Sequence, residues 1–209
     1  MEEKPEVPCF SCPSSSFCCS YPDPKEGFVS LGLNEAKKIR EHTGKQIEEF
    51  AEFRAVDPEL LEDFKQNDPE IYETLIDGKV LALKLKKNGD CIFLGKNKLC
   101  TIYSARPLIC RLYPFWYERD EKGEMVITKM DDSTDENGGN CPATRDSEEM
   151  TPKHFDKFLM QKEYLLKLAA ESEKEEKLYM KYAPDIAKGM SFSEVLKKLE
   201  HGDYSTKSE

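Results

Sequence analysis

Eight cysteines constrain this chain more than any other feature, and they are unevenly spread. Cys9, Cys12, Cys18 and Cys19 crowd the N-terminus, whereas Cys91, Cys100, Cys110 and Cys141 are strung across the middle. The opening Met1-Glu-Glu-Lys-Pro5 has neither the basic nor the apolar region of a secretion signal. A cytosolic location is therefore expected, where thiols stay reduced and clustered cysteines serve as metal ligands or redox groups rather than disulfides.

The spacing carries chemistry. Cys9-Phe-Ser-Cys12 is a C-x2-C knuckle, which lets two thiolates reach one metal while backbone N–H groups point at the sulfurs. Side chains of the adjacent Cys18 and Cys19 diverge, so they serve different metals, or one ligates and its neighbour stays free. The second set cannot form a local knuckle. If it shares a site with the first, the loop between Cys19 and Cys91 must close at roughly 4 kcal/mol plus a constant. Structural zinc is worth about 10–16 kcal/mol in small peptides, enough to outweigh that closure and couple metal to folding. All eight cysteines are candidate ligands, enough for one or two four-thiolate sites. The expected cofactor is an iron–sulfur cluster, possible as a 4Fe–4S cubane, or zinc. Cys12-Pro13 and Cys141-Pro142 echo the cysteine-proline ending of ferredoxin ligand runs. Arg106 and Arg111 are placed either to offset the charge of such a site or to make ordinary salt bridges.

With 209 residues the chain can bury a core larger than that of a bare zinc knuckle. A formal charge of −10 argues against broad nucleic-acid binding, which draws its affinity from neutralising phosphates. No stretch is apolar enough to span a bilayer, so the expected partner is another protein or a redox partner.

Residues 1–28 have no helical or strand period. Asn34, Asp57-Pro58 and Asp68-Pro69 read as helix starts and Gly44 as a stop, so residues 34–77 are expected to be mostly helix. Leu81, Leu83 and Leu85 alternate with Ala82, Lys84 and Lys86 as in a half-buried strand, and Asn88-Gly89 would turn the chain into a returning strand at Cys91-Ile-Phe-Leu94. A second hairpin is expected from Phe115–Arg119 through a turn at 120–123 into 125–128. Between them a short helix from Leu108 to Leu112 would carry Cys110 and stop before Pro114. Thr151-Pro152 opens a long helical region with an apolar stripe through Phe155, Phe158, Leu159, Leu165, Leu166 and Ala169, running past 180 or breaking near Ser172. The capping box Ser191-Phe-Ser-Glu194 starts a last helix that ends near Gly202. His42, His154 and His201 look like exposed or capping residues. The acidic run at 131–136 reads as a solvated loop. Tyr113, Phe115, Trp116 and Tyr117 read as core shielding a metal from water.

The block Cys100-Thr-Ile-Tyr103-Ser-Ala-Arg106-Pro107-Leu-Ile-Cys110-Arg111-Leu-Tyr113-Pro114-Phe115, together with Cys9, Cys12, Cys18, Cys19 and Cys91, resembles the YkgJ-type cysteine-cluster family, a zinc- or iron-chelating domain with a CxxCxxCC signature. The resemblance covers residues 9–141. The five-residue gap between Cys12 and Cys18 is longer than the short form of that signature. What the resemblance implies is a metal-binding domain. One branch is similar to flagellin lysine N-methylases, which implies as an alternative an iron–sulfur-dependent enzyme acting on protein lysines. Such an enzyme would need S-adenosylmethionine, and the chain lacks a glycine-rich strand-to-helix turn of the usual kind.

The expected architecture is α+β: a small antiparallel sheet from residues 79–130, helices before and after it, and a cysteine-rich N-terminal segment pinned by metal. A cysteine-cluster domain would occupy residues 1–145 and a helical segment with a disordered tail residues 146–209. The expected function is a redox or structural metal module. An oxidation sensor with an exposed low-pKa thiol at Cys18 or Cys19 is a third reading.

Overall fold

The structure, a computed structural model, describes residues 17–21, 28–67, 69–129 and 162–200. The expected boundary at 145/146, the helix start at Thr151, the acidic run, His154, His201 and the C-terminal tail lie outside them.

The architecture is α+β, with seven α-helices and four five-residue strands among the described residues. In order these are α1 (Leu33–Thr43), α2 (Ile47–Phe50), β1 (Ala51–Ala55), α3 (Pro58–Asn67), α4 (Pro69–Glu73), β2 (Lys79–Leu83), α5 (Leu108–Leu112), β3 (Phe115–Arg119), β4 (Met125–Lys129), α6 (Lys162–Ala187) and α7 (Phe192–Glu200). No helix among the described residues is long and apolar enough to cross a membrane. The chain forms two compact units, Met1–Gly27 with Leu85–Glu173, and Phe28–Lys84 with Lys174–Glu209.

In the second of these units β1 pairs antiparallel with β2, Ala51 opposite Leu83 and Ala55 opposite Lys79. This corrects two expectations. Residues 51–55 are strand rather than helix, and the partner of β2 is β1 rather than Cys91–Leu94. Ala, Glu and Arg favour helix locally, yet the pairing satisfies the backbone of β2 and overrides that weak preference. Residues 29–31 run along the other edge of β2, with Leu31 N–H donating to the Leu81 carbonyl (2.9 Å) and Leu83 N–H to that of Val29 (2.9 Å). Bordered on both sides, β2 buries Leu81, Ala82 and Leu83 in succession.

Helix α1 begins one residue before the expected cap. Gly32 occupies the cap position, its N–H donating to the Glu35 carboxylate (2.7 Å), while the Asn34 N–H and Nδ2 donate to Glu175 (3.0 and 2.7 Å). Gly44 ends the helix as expected, its φ of 70° allowing its N–H to reach the Arg40 carbonyl at 2.8 Å. The capping box at α7 forms: Ser191 N–H donates to Glu194 (2.9 Å) and Glu194 N–H to the Ser191 hydroxyl (3.3 Å). The Phe53 and Phe192 rings stack at 5.3 Å.

In the other unit β3 and β4 form the expected hairpin, Phe115 opposite Lys129 and Arg119 opposite Met125. Leu108, Leu112 and Phe115 pack with Leu165 and Leu168 of α6 into a buried cluster, edged by Tyr117 and Ile127. Helix α6 continues unbroken through Ser172 and beyond Pro184.

Leu81 is fully buried, so Leu81→Ala is expected to cost about 2–5 kcal/mol in urea unfolding. A loss below about 1 kcal/mol would mean that β2 is not at the centre of its unit.

Candidate metal centre

The N-terminal cysteine pair is joined to the Cys91 loop by backbone. A 3₁₀ turn, Phe17–Cys19, leads into a short ladder. Cys91 N–H donates to the Cys19 carbonyl (2.7 Å) and Tyr21 N–H to the Gly89 carbonyl (3.0 Å), with Ser20 bridged to Asp90 between them. The Ser20 hydroxyl also donates to the Asp90 carboxylate, which accepts from Asn88 Nδ2 (3.0 Å) and lies 3.5 Å from Lys98 Nζ. Gly89 is needed here: its φ is 82°, and a Cβ would stand 1.9 Å from the Tyr21 carbonyl oxygen. The expected Asn88-Gly89 turn therefore exists, but its outer face receives residues 19–21.

Because the segment 19–21 takes that position, Cys91–Leu94 makes no regular returning strand. It keeps only the bridge from Leu85 to Cys91 and then folds into nested turns. Leu94 N–H donates to the Cys91 carbonyl (2.9 Å), Thr101 N–H to that of Phe93 (2.9 Å), and Leu94 bridges to Cys100. The Lys86 ammonium donates to the Leu94 carbonyl and secures the turn. Cys91 is thereby buried, with Phe93, Leu94 and Ile102 around this loop also buried, and Cys100 is half-buried. Cys110 lies on α5, as the sequence predicts, and is half-buried.

Five of the eight candidate cysteines are thus described, all as free thiols: Cys18, Cys19, Cys91, Cys100 and Cys110. Cys9, Cys12 and Cys141 lie outside the described residues. Among the described residues no three Cys, His, Asp or Glu side chains already stand as a ready-made metal site. The five thiols nevertheless share one electrostatic neighbourhood. The Tyr21 phenol is held well above its ordinary pKa by burial first, then by Cys110, Cys18, Cys19 and Cys91. Cys18 is raised by its hydrogen bond with Cys19, then by burial and the Cys19 charge; Arg106 acts in the opposite direction. Burial pushes the Cys91 thiol up to about 11, with the Cys100 charge adding to the rise. Cys100 is raised by burial, against which Arg106 again works. The Cys18 thiol is thus shifted away from the thiolate form that an oxidation sensor uses.

The two arginines separate. Arg111 turns to α6, where Nη2 donates to the Tyr164 hydroxyl (3.0 Å) and Nη1 lies 3.8 Å from Glu171. Arg106 lies 3.7 Å over the Tyr103 ring and buries an Nε that has no hydrogen-bond partner among the described residues. Of the aromatic run, Phe115 is fully buried and Tyr117 packs on the core, while Trp116 stacks on Tyr117 at 5.1 Å. His42 is exposed at the end of α1, in the unit without the described cysteines.

Soft thiols, the buried Cys91 and the half-buried Cys19, Cys100 and Cys110 among them, suit a soft or borderline metal, which would replace their protons. Tyr21, Ser20, Gly89 and Asp90 were not apparent as site residues from the sequence. Their signal was position alone, immediately after the Cys18-Cys19 pair and immediately before Cys91.

An α+β scaffold that gathers cysteines from distant segments defines a metal-chelating cysteine-cluster domain. The chain belongs to the CxxCxxCC family, described as "Putative zinc- or iron-chelating domain", whose model matches residues 8–142. That span contains all eight cysteines. No curated protein and no solved structure matches the chain significantly.

Two outcomes test the ladder. Gly89→Ala is expected to destabilise the protein by about 1–3 kcal/mol in chemical denaturation, because the side chain meets backbone at a left-handed position; unchanged stability would remove Gly89 from the argument. Hydrogen bonds from Ser20 and then Asn88, with the Lys98 charge, hold the Asp90 pKa below its ordinary value. A depressed folded-state pKa gives stability that is present above the unfolded-state value and lost as pH falls through the folded one. Ser20→Ala should thus flatten the acid limb of a stability–pH curve, and an unaltered limb would show that this contact contributes nothing.

Proposed function

We propose that this chain is a thiolate metal-binding module in which Cys9, Cys12, Cys18, Cys19, Cys91, Cys100, Cys110 and Cys141 supply the ligands of one or two iron–sulfur or zinc sites. The observation that supports the proposal is the backbone ladder that sets Cys19 beside Cys91, next to a Tyr21 phenol that Cys110, Cys18, Cys19 and Cys91 all influence. Desolvated thiols gain from exchanging protons for a metal, and the free energy so released would add to folding. The centre serves as a structural clasp if it holds zinc and as a redox group if it holds an iron–sulfur cluster, in which case a redox partner would dock near it. A cytosolic, reducing location suits either form.

The test is anaerobic purification followed by metal and acid-labile sulfide analysis with an absorption spectrum, on wild type, Cys12→Ser and Cys100→Ser. Brown protein with sulfide identifies the redox form, and colourless protein with stoichiometric zinc the structural one. Both variants are expected to lose metal. Wild-type protein that folds without either metal would overturn the proposal.

A further inference from the structure

We propose that the α3–α4 hairpin is a docking surface for a cationic amphipathic segment of another protein, an inference independent of the metal centre. Its starting point is an amphipathic helix whose apolar side meets no core. Leu60, Leu61 and Phe64 lie three and four apart on one face of α3, yet none of the ten residues of that helix is buried. In the same unit α1 buries Leu33, Ala36 and Ile39, as a helix does when its apolar stripe packs on a core. Helix α3 is supported instead by α4, its main packing neighbour, and by its own polar side chains. The Asp57 carboxylate accepts from Glu59 N–H (2.9 Å), Gln66 donates to Glu62 (2.9 Å) and Asn67 to Asp63 (2.6 Å). The α4 segment repeats the pattern, with Ile71 and Leu75 half-buried and Tyr72 exposed. Large apolar side chains on both helices are thus left partly in water, where a partner would cover them.

Charge decides which partner fits. Residues 57–77 contain eight carboxylates and one cation, Lys65, and so hold most of the chain's formal charge of −10. Asp57, Glu59, Glu62, Asp63, Glu73 and Asp77, interleaved with the apolar residues along the chain, are all exposed. Among the described residues Lys65 stands 3.9 Å from Glu62, a contact between two exposed side chains that offsets little of this charge. An apolar face among unneutralised carboxylates selects a helix or extended segment with apolar anchors flanked by Lys or Arg. Like charge disfavours the other occupants, a second copy of this chain, a nucleic acid or an anionic lipid surface.

The experiment titrates the full chain into a fluorescent synthetic amphipathic helix of leucine and lysine, followed by anisotropy, with its leucine–glutamate counterpart as the control probe. Wild type is expected to bind the leucine–lysine helix, more weakly as salt rises, and to show slowed hydrogen exchange across residues 58–75 in the complex. The double variant Leu60→Ser, Tyr72→Ser should weaken binding about 10-fold or more. Glu73→Lys should weaken it about 3–10-fold and flatten its salt dependence. Glu121→Lys, the same charge change in the exposed turn between β3 and β4, should bind as wild type does. Thermal midpoints report whether each variant folds, and Glu73→Lys, a single change at an exposed position, keeps the test decisive if the double variant does not. Unchanged affinity in the folded double variant or in Glu73→Lys would overturn the proposal. So would an equal loss in Glu121→Lys, equally tight binding of the leucine–glutamate helix, or self-association of the wild-type chain that Glu73→Lys abolishes.

Discussion

The hydrogen bond from Cys91 N–H to the Cys19 carbonyl is the contact on which the site depends. Together with the Tyr21–Gly89 bond it converts a separation of some seventy residues along the chain into direct adjacency. Backbone pairing is well suited to this task because it fixes register as well as proximity. Setting Tyr21 against Gly89 places Cys19 beside Cys91, and a one-residue slip would separate them. The glycine is part of the register, since any side chain there would collide with the Tyr21 carbonyl. Metal bound to these cysteines would add to a contact that the backbone already makes between Cys19 and the Cys91 loop.

That arrangement has an electrostatic cost. Burial raises Cys91, Cys100 and the Tyr21 phenol, and the thiols raise one another, so a metal-free centre favours protonated sulfur. The same desolvation that opposes bare thiolates strengthens their attraction to a metal once it has displaced the protons. Tyr21 sits among these groups as a neutral phenol, able to donate a hydrogen bond without adding charge. Around the loop, buried Phe93, Leu94 and Ile102 provide an apolar setting of the kind that controls water access to metal sites.

The two-unit organisation follows from how the hydrophobic segments are satisfied. Leu81, Ala82 and Leu83 are bordered by β1 and by residues 29–31, leaving the chain free to enter the cysteine loop at Leu85. Leu108 and Leu112 anchor α5 against α6, which fixes the helix that carries Cys110. The described cysteines all fall in the unit that contains this second core. Packing residues and candidate ligands thus lie on the same elements, and α5 carries both.

Features set by local chemistry were legible in the sequence. The short helix bearing Cys110, the hairpin after it, the stop at Gly44, the capping box at Ser191 and the turn at Asn88-Gly89 each follow from a few adjacent residues, and so did the metal-binding character of the cysteine set. Pairing partners were not legible. Residues 51–55 are locally good helix formers and become strand only because β2 offers its edge, and Cys91–Leu94 loses its expected strand because residues 19–21 occupy the adjoining position. The roles of Arg106 and Arg111 likewise looked equivalent until Glu171 and Tyr164, distant in sequence, engaged Arg111, while Arg106 lies over the Tyr103 ring. The sequence by itself determined the α+β class, the metal-chelating cysteine pattern and the local turns, because these are carried by residue types and short spacings along the chain. Tertiary structure alone decided which strands pair, that Cys19 neighbours Cys91 and which arginine α6 engages, because those choices depend on groups that approach only when the chain folds.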